Sequence, residues 1–135
     1  MCLKSKAFYP KKAKEDIVCY KRLLLPPLPS SKDNDCFISP FYAFAWKLGE
    51  EYTAEKATSI KYEANFCGNW CKIENGYFHT FVHYKDCDDT TNGITDVIVK
   101  CIIPKGTYYY EGVINHSSHH GYASKHLKVI EVVKC

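Results

Sequence analysis

A chain of 135 residues with a formal net charge of +3 is about one domain long, and it carries too little positive charge for duplex nucleic acid, whose binders concentrate many Lys and Arg on one face. Hydrophobic residues at 46% and charged residues at 24% fit a globular protein, and no apolar run reaches the length of a membrane-spanning helix. Met1 to Lys6 lead into no signal-peptide core, so the expectation is a cytoplasmic protein whose eight cysteines are mostly free, buried thiols.

In chain order, residues 1–16 are basic and without pattern. Ile17 to Leu25 then reads as a buried strand, ended by the prolines and the Ser/Asp/Asn cluster of a surface loop over residues 26–36. Phe37 to Tyr52 admits two readings. Ser39 and Gly49 could cap a helix, with Pro40 in its first turn, or Phe44, Trp46 and Leu48 could share one face of an extended segment; the extended reading is preferred. Ala54 to Ala57 reads as a turn or helical fragment, and Thr58 to Glu63 alternates like a strand.

The last forty residues carry the clearest β signal. Val97 to Ile103 is a β-branched run, Pro104-Lys105-Gly106 is a turn or bulge, Thr107 to Gly112 is an aromatic strand, and Leu127 to Val133 is a third apolar run. A loop with His116, His119 and His120 lies between the last two runs. The expected fold is a single α+β domain over residues 1–135, built on a twisted, mainly antiparallel sheet or partial barrel with one or two short helices.

Several groups bear on chemistry. Cys67 and Cys71 with His79 and His83 have ligand-like spacing, but the short gap between the pairs and the Asn75-Gly76 turn signal disfavour tetrahedral zinc, so no metal and no cofactor are expected. The fallback reading packs the cysteines beside Trp70 and sets the histidines around a turn. Cys2 would be an N-terminal nucleophile only if Met1 were removed. No P-loop, dinucleotide glycine fingerprint, nucleophile elbow or His-Glu-x-x-His occurs. Aromatic residues make up 15%, with eleven Tyr, which suits a half-exposed sheet face or a pocket that stacks on a planar ligand.

Five short motifs follow one another: Cys19-Tyr20-Lys21; Phe44-Ala45-Trp46 through Gly49-Glu50 to Tyr52; Glu74 through Phe78-His79-Thr80-Phe81; Ile103-Pro104-Lys105-Gly106; and Tyr122-Ala123-Ser124-Lys125. In this order they resemble a group of small proteins of bacteriophages and gut bacteria, over about residues 17–133. More distantly the order is similar to mono-ADP-ribosyltransferases. By that resemblance Tyr20-Lys21-Arg22 matches the first strand of the family, Phe78-His79-Thr80 the middle segment and Ala123 to His126 the late strand. Where the family carries its catalytic glutamate this chain has Lys125 or Leu127, and Glu131 lies further along.

The resemblance without the carboxylate implies a non-enzymatic, phage-type binder that captures a nucleotide or ADP-ribose-derived signal and so blunts a host defence. Lys21, Arg22 and Lys105 would meet phosphates, Tyr108 and Tyr110 would stack on the base, and Thr80, His119 and His120 would complete the site. The alternatives are an ADP-ribosyltransferase-like enzyme using Glu111 or Glu131, and a protein-interaction module acting on a host immune protein. Neither a membrane nor nucleic acid is an expected partner, and a homo-oligomer stays open.

Overall fold

The computed structural model describes residues 3–5, 9–24, 36–38, 45–54, 60–65, 68–73, 77–90, 96–114 and 119–134. Among them the chain forms, in order, β1 (Leu3–Ser5), β2 (Lys11–Lys12), β3 (Ile17–Leu24), β4 (Cys36–Ile38), β5 (Ala45–Lys47), β6 (Glu51–Thr53), β7 (Ile60–Asn65), β8 (Gly68–Ile73), β9 (Phe78–Phe81), α1 (Tyr84–Asp89), β10 (Asp96–Ile103), β11 (Tyr108–Ile114), β12 (His120–Ser124) and β13 (His126–Lys134).

The β-branched run of β10 explains its place. Val97, Ile98 and Val99 are all fully buried, which requires cover on both faces and so an interior strand. β10 lies between β13 and β3, and its ladder with β3 runs unbroken from Asp96 opposite Leu24 to Ile103 opposite Ile17. From there the order continues as β9, β12, β11, β1, β8 and β7, with β6 beyond β13 at the other end. All recorded pairings are antiparallel, and the path is open.

Alternation along the strands divides the core in two. One face gathers Cys19, Leu23, Val97, Val99, Cys101, Ile103, Leu127 and Val129 around Trp46. The opposite face gathers Phe81, Ile98, Tyr110, Ile114 and Ala123 with Leu3, Ile73 and Cys87 of α1. We call these the Trp46 face and the helix face.

The class is therefore β-rich, and the α+β expectation is corrected: only Tyr84–Asp89 is helical among the described residues, and β-branched and aromatic alternation claims nearly everything else. The basic N-terminal segment is also not patternless. Leu3 is fully buried because β1 inserts between β8 and β11. The loop expected over residues 26–36 ends earlier, since Cys36 already pairs in β4, while residues 25–35 fall outside the described residues. The extended reading holds at Ala45–Lys47 and Glu51–Thr53, joined at Gly49 with φ of 80°; residues 39–44 fall outside the description. His120 opens β12, where a loop was expected, and residues 115–118 are not described. Among the described residues no helix is long and apolar enough to cross a membrane.

Two glycines serve the fold in different ways. Gly106 takes φ of 88° in the turn after Pro104, with open space around it. Gly112 has an ordinary backbone, but a Cβ there would overlap the Lys4 carbonyl of β1. Gly106→Ala should therefore cost about 1 kcal/mol of left-handed strain, whereas Gly112→Ala should cost about 3 kcal/mol because β1 must shift. Urea denaturation of the two variants checks the order; equal losses would mean that β1 does not sit against Gly112.

Candidate functional site

In β3 the residues of odd number point to the Trp46 face, and the third position of that series is a lysine. Lys21 is buried, and its Nζ donates to the His79 carbonyl at 2.9 Å and lies 5.6 Å from the centre of the Trp46 ring. Tyr20 pairs with Phe81, so one antiparallel step brings Lys21 beside Thr80 of β9. Thr80 in turn stands opposite Tyr122 of β12, and Ser124, one side chain further along the same face, stands opposite Phe78. Trp46 closes over this row, edge-on to Phe78 at 5.0 Å and to Tyr52 at 4.8 Å. Tyr109 and Tyr122 meet edge-on at 5.6 Å on the half-buried side.

The polar groups of the row are in energetic tension. Thr80 and Ser124 are fully buried, and their hydroxyls lack a hydrogen-bond partner among the described residues. The Thr80 hydroxyl does border the Cys19 thiol, and we treat this as a loose contact because sulfur is a weak partner at best. Burial pulls the Lys21 amine below its ordinary pKa, against the opposing pull of the Cys101, Cys87 and Cys19 thiols. The same burial pushes Cys19 up to about 12 and Cys101 well above its usual value. Cys19 and Cys101 face each other across the β3–β10 ladder as free thiols, and thiols held protonated in this way are poor nucleophiles.

The other expected contacts scatter. Arg22, one residue from Lys21, turns to the helix face, where it donates to the Thr90 carbonyl and pairs with Asp96 at 3.7 Å. Tyr110 is buried on that face against Tyr77, with ring centres 5.8 Å apart. His119 lies edge-on to Phe81 at 6.2 Å, and His120 is exposed. Lys105 and Tyr108 are exposed at the β10–β11 turn and its following strand, where the Lys105 amide donates to Asp16. Only Lys21 and Thr80 of the expected set come together. Trp46, Ser124, Tyr109 and Tyr122 join them without having been expected as contacts; a lysine in the apolar phase of a strand was the signal that could have marked the face.

His79 and His83 do not form one end of a metal site. His83 is exposed beside the start of α1, and His79 turns both ring nitrogens to carbonyls, Nδ1 to Tyr77 and Nε2 to Ile73, each at 3.1 Å. Cys67 and the Cys71 side chain fall outside the described residues.

Comparison with known proteins leaves the site to be read from its own chemistry: no family model, no curated protein and no solved structure matches the chain.

His79 supplies a test of the buried chemistry. A neutral imidazole has one N–H for two carbonyls, whereas the protonated ring would serve both; burial nevertheless wins, helped by Lys21, and lowers the ring to about 4. The unfolded ring titrates near 6.5, so unfolding takes up a proton between these values and stability falls as pH drops from 6.5 to 4. The full loss is about 3 kcal/mol. Urea denaturation at stepped pH should show this slope in the wild type and a flatter one in His79→Gln; identical slopes would refute the assignment.

Proposed function

We propose that this chain is a non-enzymatic binding protein that captures a small, negatively charged molecule of the nucleotide class, ADP-ribose derivatives included, on the Trp46 face. The observation that carries the reading is Lys21. A buried amine disfavours the folded state unless something it binds compensates, and such groups concentrate at functional sites. Its neighbours match the ligand class: two buried hydroxyls without partners can bond phosphate or ribose oxygens, and Trp46, Tyr109 and Tyr122 offer ring faces or edges to a base.

The exposure of the acids supports capture without turnover. Glu111 and Glu131, the residues an ADP-ribosyl transfer would call on, are exposed and lie near Lys11 at 3.7 Å and Lys100 at 3.9 Å, and Glu111 stands opposite Tyr122 at the exposed margin of the face. The groups whose charge acts on Lys21 are thiols. A site with a cation and hydroxyls but, among the described residues, no buried carboxylate suits a phosphorylated ligand and would give an oxocarbenium-like transition state little counter-charge. Sequestering a messenger of this kind would interfere with a host response that depends on it.

The proposal predicts a trade between stability and binding. Lys21→Met should raise stability in urea by about 1–3 kcal/mol, since an apolar side chain of similar length suits the site better than an amine. It should also abolish the calorimetric heat that the wild type gives with ADP-ribose, cyclic nucleotides or cyclic dinucleotides, and Thr80→Val should weaken it. Release of nicotinamide from NAD would replace this reading with the transferase. No heat across the panel, with a host protein recovered instead, would replace it with an interaction module.

A further inference from the structure

The opposite face of the sheet holds a second group of polar side chains, independent of the Lys21 row. Asp86 and Asp89 are three residues apart on α1 and so lie on the same side of it, and His119 enters from the residue before β12. Their ligand atoms all lie within 4.8 Å of one another. The imidazole is positioned by its own contacts: the His119 carbonyl accepts from the Ile114 amide at 2.9 Å, and the ring stands edge-on to Phe81.

The two carboxylates of this corner are not neutralised by a direct cationic partner among the described residues. Among the described residues neither Asp86 nor Asp89 has an ion pair or a hydrogen-bond partner for its carboxylate, in contrast to Asp96, which pairs with Arg22. Asp86 lies in the first turn of α1, while the last turn, which ends at Asp89, contains no basic residue although the C-terminal end of a helix dipole favours positive charge. Arg22, the nearby cation, reaches the Thr90 carbonyl and Asp96. Two carboxylates close to each other, with an imidazole from a separate element, form an arrangement that a divalent ion would neutralise.

We propose that Asp86, Asp89 and His119 are the protein ligands of a first-row divalent cation, of the Mn²⁺ or Zn²⁺ type. An imidazole among two carboxylates favours these ions over Ca²⁺ and Mg²⁺, which prefer oxygen alone, and the absence of a thiolate argues against the softer ions. Three protein ligands on a partly exposed surface leave coordination positions to water. The bound ion would tie α1 to the chain entering β12, so it should stabilise the folded state by mass action.

The test uses the full chain, stripped of metal by chelator and dialysed. Added Mn²⁺, followed by the loss of its free-ion electron paramagnetic resonance signal, should bind with a stoichiometry of one. It should broaden the His119 imidazole resonances while sparing those of His126, which sits with Thr53 on another part of the sheet. Asp89→Asn and His119→Ala should each weaken binding by about tenfold or more, because even groups that only hydrogen-bond a metal's ligands are worth about 10–100-fold. Circular dichroism shows whether the variants keep the wild-type fold; should His119→Ala unfold, Asp89→Asn at its exposed position carries the comparison. Zn²⁺ should compete with Mn²⁺, and excess Mg²⁺ should not. Binding only at millimolar Mn²⁺, broadening spread equally over His119 and His126, or affinity unchanged in folded Asp89→Asn would each overturn the proposal.

Discussion

The eight-residue ladder between β3 and β10 decides what the rest of the structure can be. Side chains alternate along a strand, so a slip of one residue would exchange every inward group of β3 for its neighbour. In the observed register Ile17, Cys19, Lys21 and Leu23 stand opposite Ile103, Cys101, Val99 and Val97. Three of those four β10 residues are β-branched, and all four are fully buried, which fixes the register strongly and takes the lysine inside with its neighbours. Shifted by one position, Tyr20 and Arg22 would face Trp46 and Lys21 would point to the opposite face. The buried amine is thus a consequence of register, and the stable pairing around it is what allows the chain to hold it there.

The parity set by this ladder is passed across the sheet. Tyr20 opposite Phe81 carries it to β9, and Thr80 opposite Tyr122 carries it to β12. Lys21, Thr80, Tyr122 and Ser124 consequently share a face although they come from distant parts of the chain. The same parity sends Arg22, Phe81 and Ala123 to the helix face, where α1 covers the sheet with Cys87 and where Tyr84 meets Tyr20 edge-on at 5.8 Å. One ladder accordingly separates two chemistries: an amine with hydroxyls and thiols under Trp46, and a pair of carboxylates with an imidazole at the border of α1.

What the sequence made legible were the elements whose signal is local. Val97 to Ile103 could hardly be anything but a buried strand, Pro104 to Gly106 had the residues of a turn, and Ile17 to Leu24 alternated visibly. β1 and β12 were missed because their reasons lie elsewhere in the chain. Leu3 is buried only because Ile73 and Ile114 flank it in pairing, and the three residues of β1 have no pattern of their own. β12 has the composition of a loop, His120-Gly121, yet Gly121 is there because Thr80 and Ile114 leave no room for a Cβ. α1 is too short to show a helical period. At the site, the motifs of the resemblance contained Arg22 and Lys105 as well as Lys21 and Thr80, and only strand parity and the turn separate the first two from Lys21. Asp86, Asp89 and His119 share no motif, since the loop that unites them is closed by β9 to β12 pairing.

Burial sets the electrostatics of the Trp46 face. It drives the Lys21, Cys19 and Cys101 side chains toward their uncharged forms: Lys21 down, Cys19 up to about 12, and Cys101 well above its usual value. An ammonium and a thiolate at such a distance could have stabilised each other, but desolvation opposes both charges at once and prevails in each case. The face is therefore left with donors and acceptors that lack a counter-charge. An anionic ligand would alter this balance from outside, because it lends Lys21 the partner that the thiols cannot provide and offers acceptors to the hydroxyls of Thr80 and Ser124. Under the proposed reading the ligand's charge would oppose the desolvation of the Lys21 ammonium, whereas neutral molecules of the same shape would leave the lysine as disfavoured as before.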